Sequence, residues 1–140
     1  MVLASSSVRA PAQSRNGALA PEPAVQRALV WLENHAAWAT EQQIRINEVP
    51  APPFQEASRG ALLRRLLEGS GLRLRTDEIG NVIGERPGAD TRNVVVVSAH
   101  LDTVFSRGVD VSVKRQPAAN GRNGERLLGA GISDNAVGLS

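Results

Sequence analysis

The apolar positions change period along the chain, and each change predicts an element. From Pro21 they recur at three- and four-residue spacing, at Val25, Leu29, Leu32 and Ala36. That spacing lines one face of an α-helix, with Pro21 and Pro23 at the start, where a missing backbone donor costs nothing. Trp31 and Trp38 lie on or beside the stripe and read as core packing. His35 shares the helix but has no acidic residue at i+4, so it reads as a surface or hydrogen-bonded histidine, not a ligand. A second helix is predicted from about Gln55 to Glu68, with Ala61, Leu62, Leu66 and Leu67 inward and Gly69 and Gly71 closing it. Arg64 and Arg65 stand near its end, where positive charge suits the helix dipole. Leu72 to Thr76 alternates apolar residues with arginines, as a half-buried strand does; Asn81 to Arg86 returns, and Pro87-Gly88 turns the chain onward.

The pattern then changes character in Asn93-Val94-Val95-Val96-Val97-Ser98-Ala99-His100-Leu101-Asp102-Thr103-Val104. A β-branched run without polar alternation predicts a strand buried on both faces, as at the parallel centre of an α/β sheet. Such sheets place their chemistry at the carboxyl ends of the strands. Side chains alternate along an extended chain, so His100 and Asp102 project to one side and Leu101 to the other. An imidazole can give one ring nitrogen to a metal and donate the other N–H to an acid. On its own the triplet also describes a capped turn with a hydrogen-bonded histidine.

Further on, Val111 to Gln116 alternates weakly and Asn120-Gly121-Arg122-Asn123-Gly124 is a turn signal, giving a hairpin or a loop. In Leu127-Leu128-Gly129-Ala130-Gly131-Ile132-Ser133-Asp134-Asn135-Ala136-Val137-Gly138-Leu139-Ser140 the glycines make a tight, open turn and Asp134 precedes what reads as the first turn of a helix. The plainest role for that aspartate is an N-cap, which contributes about 1 kcal/mol.

Taken together, the His-x-Asp-Thr-Val segment and the later Gly-x-Gly-Ile-Ser-Asp-Asn-Ala-Val-Gly turn resemble the dinuclear zinc hydrolases. This superfamily contains tripeptide aminopeptidases, glutamate carboxypeptidases, aminoacylases and succinyl-diaminopimelate desuccinylases. Upstream, Glu48-Val49-Pro50-Ala51-Pro52-Pro53-Phe54-Gln55-Glu56 resembles the proline-rich loop before the family's second helix. Asp77-Glu78-Ile79-Gly80-Asn81-Val82-Ile83-Gly84 resembles its Asp-x-x-Gly-Asn strand pair, so the ordered matches span residues 22 to 140.

The resemblance implies an α/β fold, a three-layer sandwich around a central mixed, mostly parallel sheet, incomplete in this chain. It implies that His100 binds one metal, that Asp102 is the catalytic residue orienting that histidine, and that Asp134 bridges both metals. Asn135 departs from the pattern, since many relatives carry a second acidic residue there. The implied cofactors are two divalent ions, Zn2+ first, with Co2+ or Mn2+ as substitutes. The implied reaction is hydrolysis of a peptide or amide bond by a metal-bridging water. The family's glutamate base, further carboxylate ligands and distant histidine are expected beyond Ser140, together with a lid or dimerisation domain, so residues 1 to 140 alone are expected to be inactive. The segment from Ser98 to Val104 resembles the tripeptidase-like exopeptidases best, which implies a small peptide or N-acyl amino acid as substrate and a homodimer for the full-length protein. Two alternatives stand beside this reading: a non-catalytic α/β binding or interaction module, and a related dinuclear zinc aminopeptidase without a lid domain.

Composition narrows the picture. A hydrophobic content of 41% suffices for a core, and no apolar stretch approaches the roughly 20 residues of a membrane span, so no membrane partner is expected. There is no cysteine, which leaves histidine and carboxylates to hold any zinc. The net charge is only +2. The isoelectric point of about 10.3 arises because Lys114 is the single lysine and the other cations are arginines, which do not titrate. Those arginines are scattered among acids, and aromatic residues are few, which argues against a nucleic-acid partner. No Gly-Lys-Ser/Thr follows the glycines, and Gly129-Ala130-Gly131 lacks the dinucleotide fingerprint. Residues 1 to 20, rich in Ala, Ser, Pro and Arg, read as disordered or processed, and residues 21 to 140 as the amino-terminal part of the catalytic domain. A cytoplasmic location is the default; a periplasmic or secreted one follows if residues 1 to 13 are the remnant of a signal peptide, for which Met1 to Ala4 alone is too short an apolar stretch.

Overall fold

The computed structural model describes residues 22–90, 92–118, 124–134 and 136–140, which divide into two units, one ending at Ala36 and one running from Ala37 to Ser140. The expectation for residues 1 to 20 lies outside the described residues.

The first unit holds helix α1 (Pro23–Asn34), with proline in its opening turn. It ends at His35, where φ −113° and ψ 14° turn the backbone out of helical geometry. The His35 ring stacks on Trp31 at a centroid distance of 4.0 Å, and its Nδ1 lies 2.7 Å from the Trp31 carbonyl. No residue of α1 is buried, and Leu29, Val30, Trp31 and Leu32 are about half exposed. The core role expected of Trp31 is therefore not seen: periodicity defines the apolar face, but the described residues of this unit offer no second layer to cover it. Trp38, in the second unit, is also half exposed.

All but the first residue of α2 (Ala36–Asn47) belongs to the second unit, so two helices stand where the apolar stripe runs on without a break. Only its last turn is buried, at Ile46 and Asn47. Helix α3 (Ala57–Leu67) buries Arg59, Gly60, Leu62 and Leu63. Its inward face therefore differs from the expected one: Ala61 is exposed and Leu63 packs in its place. The core comprises Ile46, Ala51, Leu62, Leu63, Val111 and Ala136, together with three polar side chains, Asn47, Arg59 and Thr103.

Strands β1 (Arg73–Thr76) and β2 (Val82–Glu85) form an antiparallel hairpin with Arg73 opposite Glu85 and Thr76 opposite Val82. The turn is built on Asp77, whose carboxylate accepts from the backbone N–H of Ile79 (3.2 Å) and Asn81 (2.9 Å) and from Asn81 Nδ2 (2.8 Å). These bonds, those from Asn81 foremost, hold the Asp77 carboxyl below its ordinary range. The unfolded chain therefore takes up the proton more readily, so the stabilisation is complete above the ordinary carboxylate value and is lost as pH falls through the lower folded value. The urea midpoint of Asp77→Ala is expected to lie below wild type at neutral pH and to converge on it in acid. A gap that ignored pH would exclude this account.

Strands β3 (Lys114–Pro117) and β4 (Glu125–Leu128) form a second antiparallel hairpin, with Lys114 opposite Leu128. The turn expected at Asn120 to Gly124 lies mostly outside the described residues. Arg115 pairs with Glu125 at 2.7 Å and with Glu41, which fastens the hairpin to α2. A short helix α4 (Ala136–Leu139) follows the glycine turn.

The valine run departs from expectation. Val94 to Val97 belong to no strand and are 80 to 92% exposed. A strand buried on both faces needs a ladder partner at its edges and a layer on each face. Among the described residues every strand pairs only within its own hairpin, so nothing supplies either. What is observed is helices with two antiparallel hairpins, an α and β arrangement without a parallel pair among the described residues. No helix among them is long and apolar enough to cross a membrane.

Candidate metal centre

The His-x-Asp segment is anchored one residue later. Thr103 is 2% exposed and its N–H donates to the Ala51 carbonyl at 2.8 Å, seating the segment on the proline loop that follows α2. With Thr103 turned inward, His100 and Asp102 remain half exposed.

His100 Nδ1 lies 2.9 Å from the Asp102 carbonyl and 3.2 Å from Asp102 Oδ1. Both oxygens only accept, so Nδ1 carries a ring hydrogen, and in the neutral ring Nε2 then presents a lone pair. Nε2 stands 3.4 Å from Asp134 Oδ1. In that neutral ring two lone pairs face each other across a gap that a cation, whether a proton or a metal ion, would bridge. A tetrahedral zinc with bonds of about 2.0 to 2.1 Å separates two of its ligand atoms by about 3.4 Å. The donor types and their spacing therefore fit the implied metal. Among the described residues no cluster of three or more histidines, cysteines or carboxylates is placed to hold an ion, so the pair supplies two donors of the four that zinc takes. Asn135 lies outside the described residues.

The glycine turn that carries Asp134 is closed by Asp134 N–H to the Gly131 carbonyl at 2.8 Å and Ile132 N–H to the Gly129 carbonyl at 3.3 Å. Its glycines are needed for contact as well as conformation. A Cβ on Gly129 would stand 2.9 Å from the Ser112 carbonyl oxygen. Gly131 has φ +85°, and a Cβ there would meet Asn47 Oδ1 at 3.1 Å.

An open cleft of about 780 Å³ runs along the His100 and Asp102 side, lined also by Phe54, Glu56, Ile79 and Asn81. Phe54 is almost fully exposed and has φ 65°, a left-handed conformation that is costly for a bulky residue. Its N–H is held by Glu56 Oε1 at 2.6 Å.

Three further side chains, which the sequence did not single out, reach both motifs. From one face of α2, Gln43 Nε2 donates to the Ile132 carbonyl (2.7 Å) and Asn47 Nδ2 to the carbonyls of Ala130 (3.1 Å) and Val111 (2.9 Å). From α3, Arg59 Nη1 donates to the carbonyl of Leu101 at 2.9 Å. Burial draws the Arg59 pKa below its ordinary value, while the charges of Asp134 and Asp102 pull it back up. The one signal in the sequence was an arginine where the helical spacing of Leu62, Leu63 and Leu66 calls for an apolar residue.

With the histidine and the aspartate of the glycine turn brought together, comparison with known families can be set beside the geometry. Residues 81–140 match the model of peptidase family M28. That family is zinc-dependent and belongs to the same superfamily as the hydrolases the motifs resemble, so the recognition made from the motifs holds at that level. The matched stretch carries β2, the valine run, the second hairpin and both metal motifs, whereas Gln43, Asn47 and Arg59 lie upstream of it. The match supports metal-dependent peptide hydrolysis in general, and peptidases of that family typically bind zinc. No curated protein matches the sequence.

Proposed function

We propose that the intact protein is an exopeptidase of tripeptidase-like specificity that cleaves small peptides or N-acyl amino acids with two divalent cations, zinc first. The observation that carries this reading is the 3.4 Å approach of His100 Nε2 to Asp134 Oδ1, with Asp102 behind the imidazole.

Bound zinc would lower the pKa of a water molecule and polarise the scissile carbonyl. The residues present prepare for that chemistry. His100 offers Nε2 because its other nitrogen is committed to Asp102. Asp102 keeps the ring in that tautomer and raises its basicity. Asp134 contributes negative charge opposite the imidazole, and the open cleft beside His100 leaves room for substrate. Two donors fall short of a complete centre, so the reading requires further carboxylate and histidine ligands and a glutamate base outside residues 1 to 140. The same reading places these residues in the amino-terminal part of a three-layer α/β sandwich, whose parallel strands would flank Val94 to Val97, and makes the 140-residue chain inactive by itself.

A second reading, a dinuclear zinc aminopeptidase without a lid domain, is favoured by the match to family M28. Chain length and domain content of the intact gene product separate the two.

The test is metal content and hydrolysis of small peptides and N-acyl amino acids, with zinc, cobalt or manganese added, on the intact gene product beside the 140-residue chain. Two bound ions and turnover only in the longer protein are expected. Full turnover by the short chain would overturn its assignment as half a centre, and no metal in either would overturn the peptidase reading. In the intact enzyme, Asp102→Ala is expected to lower activity by about 10- to 100-fold while retaining most of the metal. The Asp102 backbone carbonyl, 2.9 Å from Nδ1, still fixes the tautomer. Equal loss of metal and activity would show that Asp102 is itself a ligand.

A further inference from the structure

Arg59 is 1% exposed, and its guanidinium makes four hydrogen bonds, all to main-chain carbonyls. Nε donates to Val49 (2.9 Å), Nη1 to Leu101 (2.9 Å), and Nη2 to Val49 (2.7 Å) and Asn47 (3.2 Å). Leu101 sits between His100 and Asp102, so the Nη1 bond grips the main chain of the metal motif itself. The side chain of Asn47, whose carbonyl Arg59 also holds, grips the other motif through Ala130. Asn47 is fully buried, and its Oδ1, which a Cβ on Gly131 would meet at 3.1 Å, has no hydrogen-bond partner among the described residues.

We propose that Arg59 and Asn47 are positioning residues that set the separation of His100 from Asp134, one holding each metal motif and both joined at the Asn47 carbonyl. The inference rests on the reading of these two residues as metal ligands. Neither Arg59 nor Asn47 touches the reacting atoms. His100 and Asp134 are distant in sequence and each lies in a segment without regular structure, so their spacing must be imposed from outside. The chain Leu101 carbonyl, Arg59, Asn47 main chain, Asn47 side chain, Ala130 carbonyl is a continuous polar path between them. A charged group with a planar, forked donor set suits this, because one side chain can satisfy three carbonyls in fixed directions. Lysine keeps the charge but has neither the plane nor the reach.

The test compares Arg59→Lys, Asn47→Ser and a control, Leu63→Ala, which removes core volume next to Leu62 without touching the path. In the intact enzyme Arg59→Lys and Asn47→Ser are expected to weaken cobalt binding by about 10- to 100-fold and to lower kcat with KM little changed. In metal-free protein, the ring 15N signals of His100 are expected to report a single tautomer in wild type and a mixture in Arg59→Lys. Leu63→Ala is expected to lower Tm at least as much while leaving cobalt affinity and the ring signals as in wild type. Wild-type cobalt affinity and ring signals in a folded Arg59→Lys or Asn47→Ser would overturn the proposal, as would their loss in Leu63→Ala. If Arg59→Lys does not fold, Asn47→Ser decides. If wild type binds no cobalt, the metal reading fails, and the ring signals still decide whether Arg59 positions His100.

Discussion

Asp134→Ala in the intact protein is expected, on the proposed dinuclear reading, to reduce hydrolysis to background and bound zinc from two ions per chain to less than one, with the fold retained. The expectation follows from what the carboxylate does and does not touch. Among the described residues its close partner is His100, 3.4 Å away, its charge also acts on the buried Arg59, and the side chain is 40% exposed. No buried donor loses a hydrogen bond when it goes, and Arg59 keeps its carbonyl partners although it loses one counter-charge, so the stability cost is expected to be small, about 1 kcal/mol. The backbone bonds that shape the turn, from Asp134 N–H to Gly131 and from Ala136 N–H to the Asp134 carbonyl, survive the change. Loss of metal with unchanged circular dichroism and little change in Tm is therefore the signature of a ligand. A large fall in Tm would instead mark Asp134 as the helix cap that its position before α4 also suggests. Wild-type turnover would remove it from the metal set altogether.

The second large effect falls on stability. Gly131→Val is expected to cost about 2 to 5 kcal/mol, a large part of the 5 to 15 kcal/mol that holds a domain together. Two terms add. The backbone there has φ +85°, in the region that disfavours L-residues by about 1 to 2 kcal/mol. A branched side chain must also grow from a Cβ already 3.1 Å from Asn47 Oδ1 and 3.5 Å from Thr103 and Phe105, and overpacking of this kind costs about 1 to 3 kcal/mol. Gly88→Ala makes the control: its Cβ would meet only Asp90 main-chain atoms, at 3.8 Å or more. The urea midpoint of the Gly131 variant should fall sharply and that of the control should hardly move. Equal shifts would mean that the contact with Asn47 does not constrain the turn.

Local chemistry was legible in the sequence and remote partnership was not. The first hairpin was expected from Leu72 to Thr76 and Asn81 to Arg86 and is found at Arg73–Thr76 and Val82–Glu85. Its register is fixed by Asp77, Gly80 and Asn81, which all lie in the turn itself. The pairing of His100 with Asp102 was likewise written into alternation along an extended segment. The break at His35 was missed because the apolar spacing from Val25 to Ala36 continues through it. Arg59 was missed because its place is decided by three carbonyls that come from the end of α2, the proline loop and the metal motif, none of them near it in sequence. The expected burial of Val94 to Val97 fails for the complementary reason: β-branched residues express a preference for a sheet, but a strand exists only where another strand accepts its hydrogen bonds.

That valine run has a consequence for handling the protein. Four adjacent β-branched side chains without a charge among them, standing in water with their main-chain groups outside any ladder, are the composition of an adhesive edge. A second molecule can offer the hydrogen bonds that the described residues do not, and concentration alone will drive that encounter. The segment leading to the proposed metal ligands is thus also one where self-association is expected. Preparations of these 140 residues should be kept dilute, and a lysine in place of Val95 would be the first change to make before any spectroscopy.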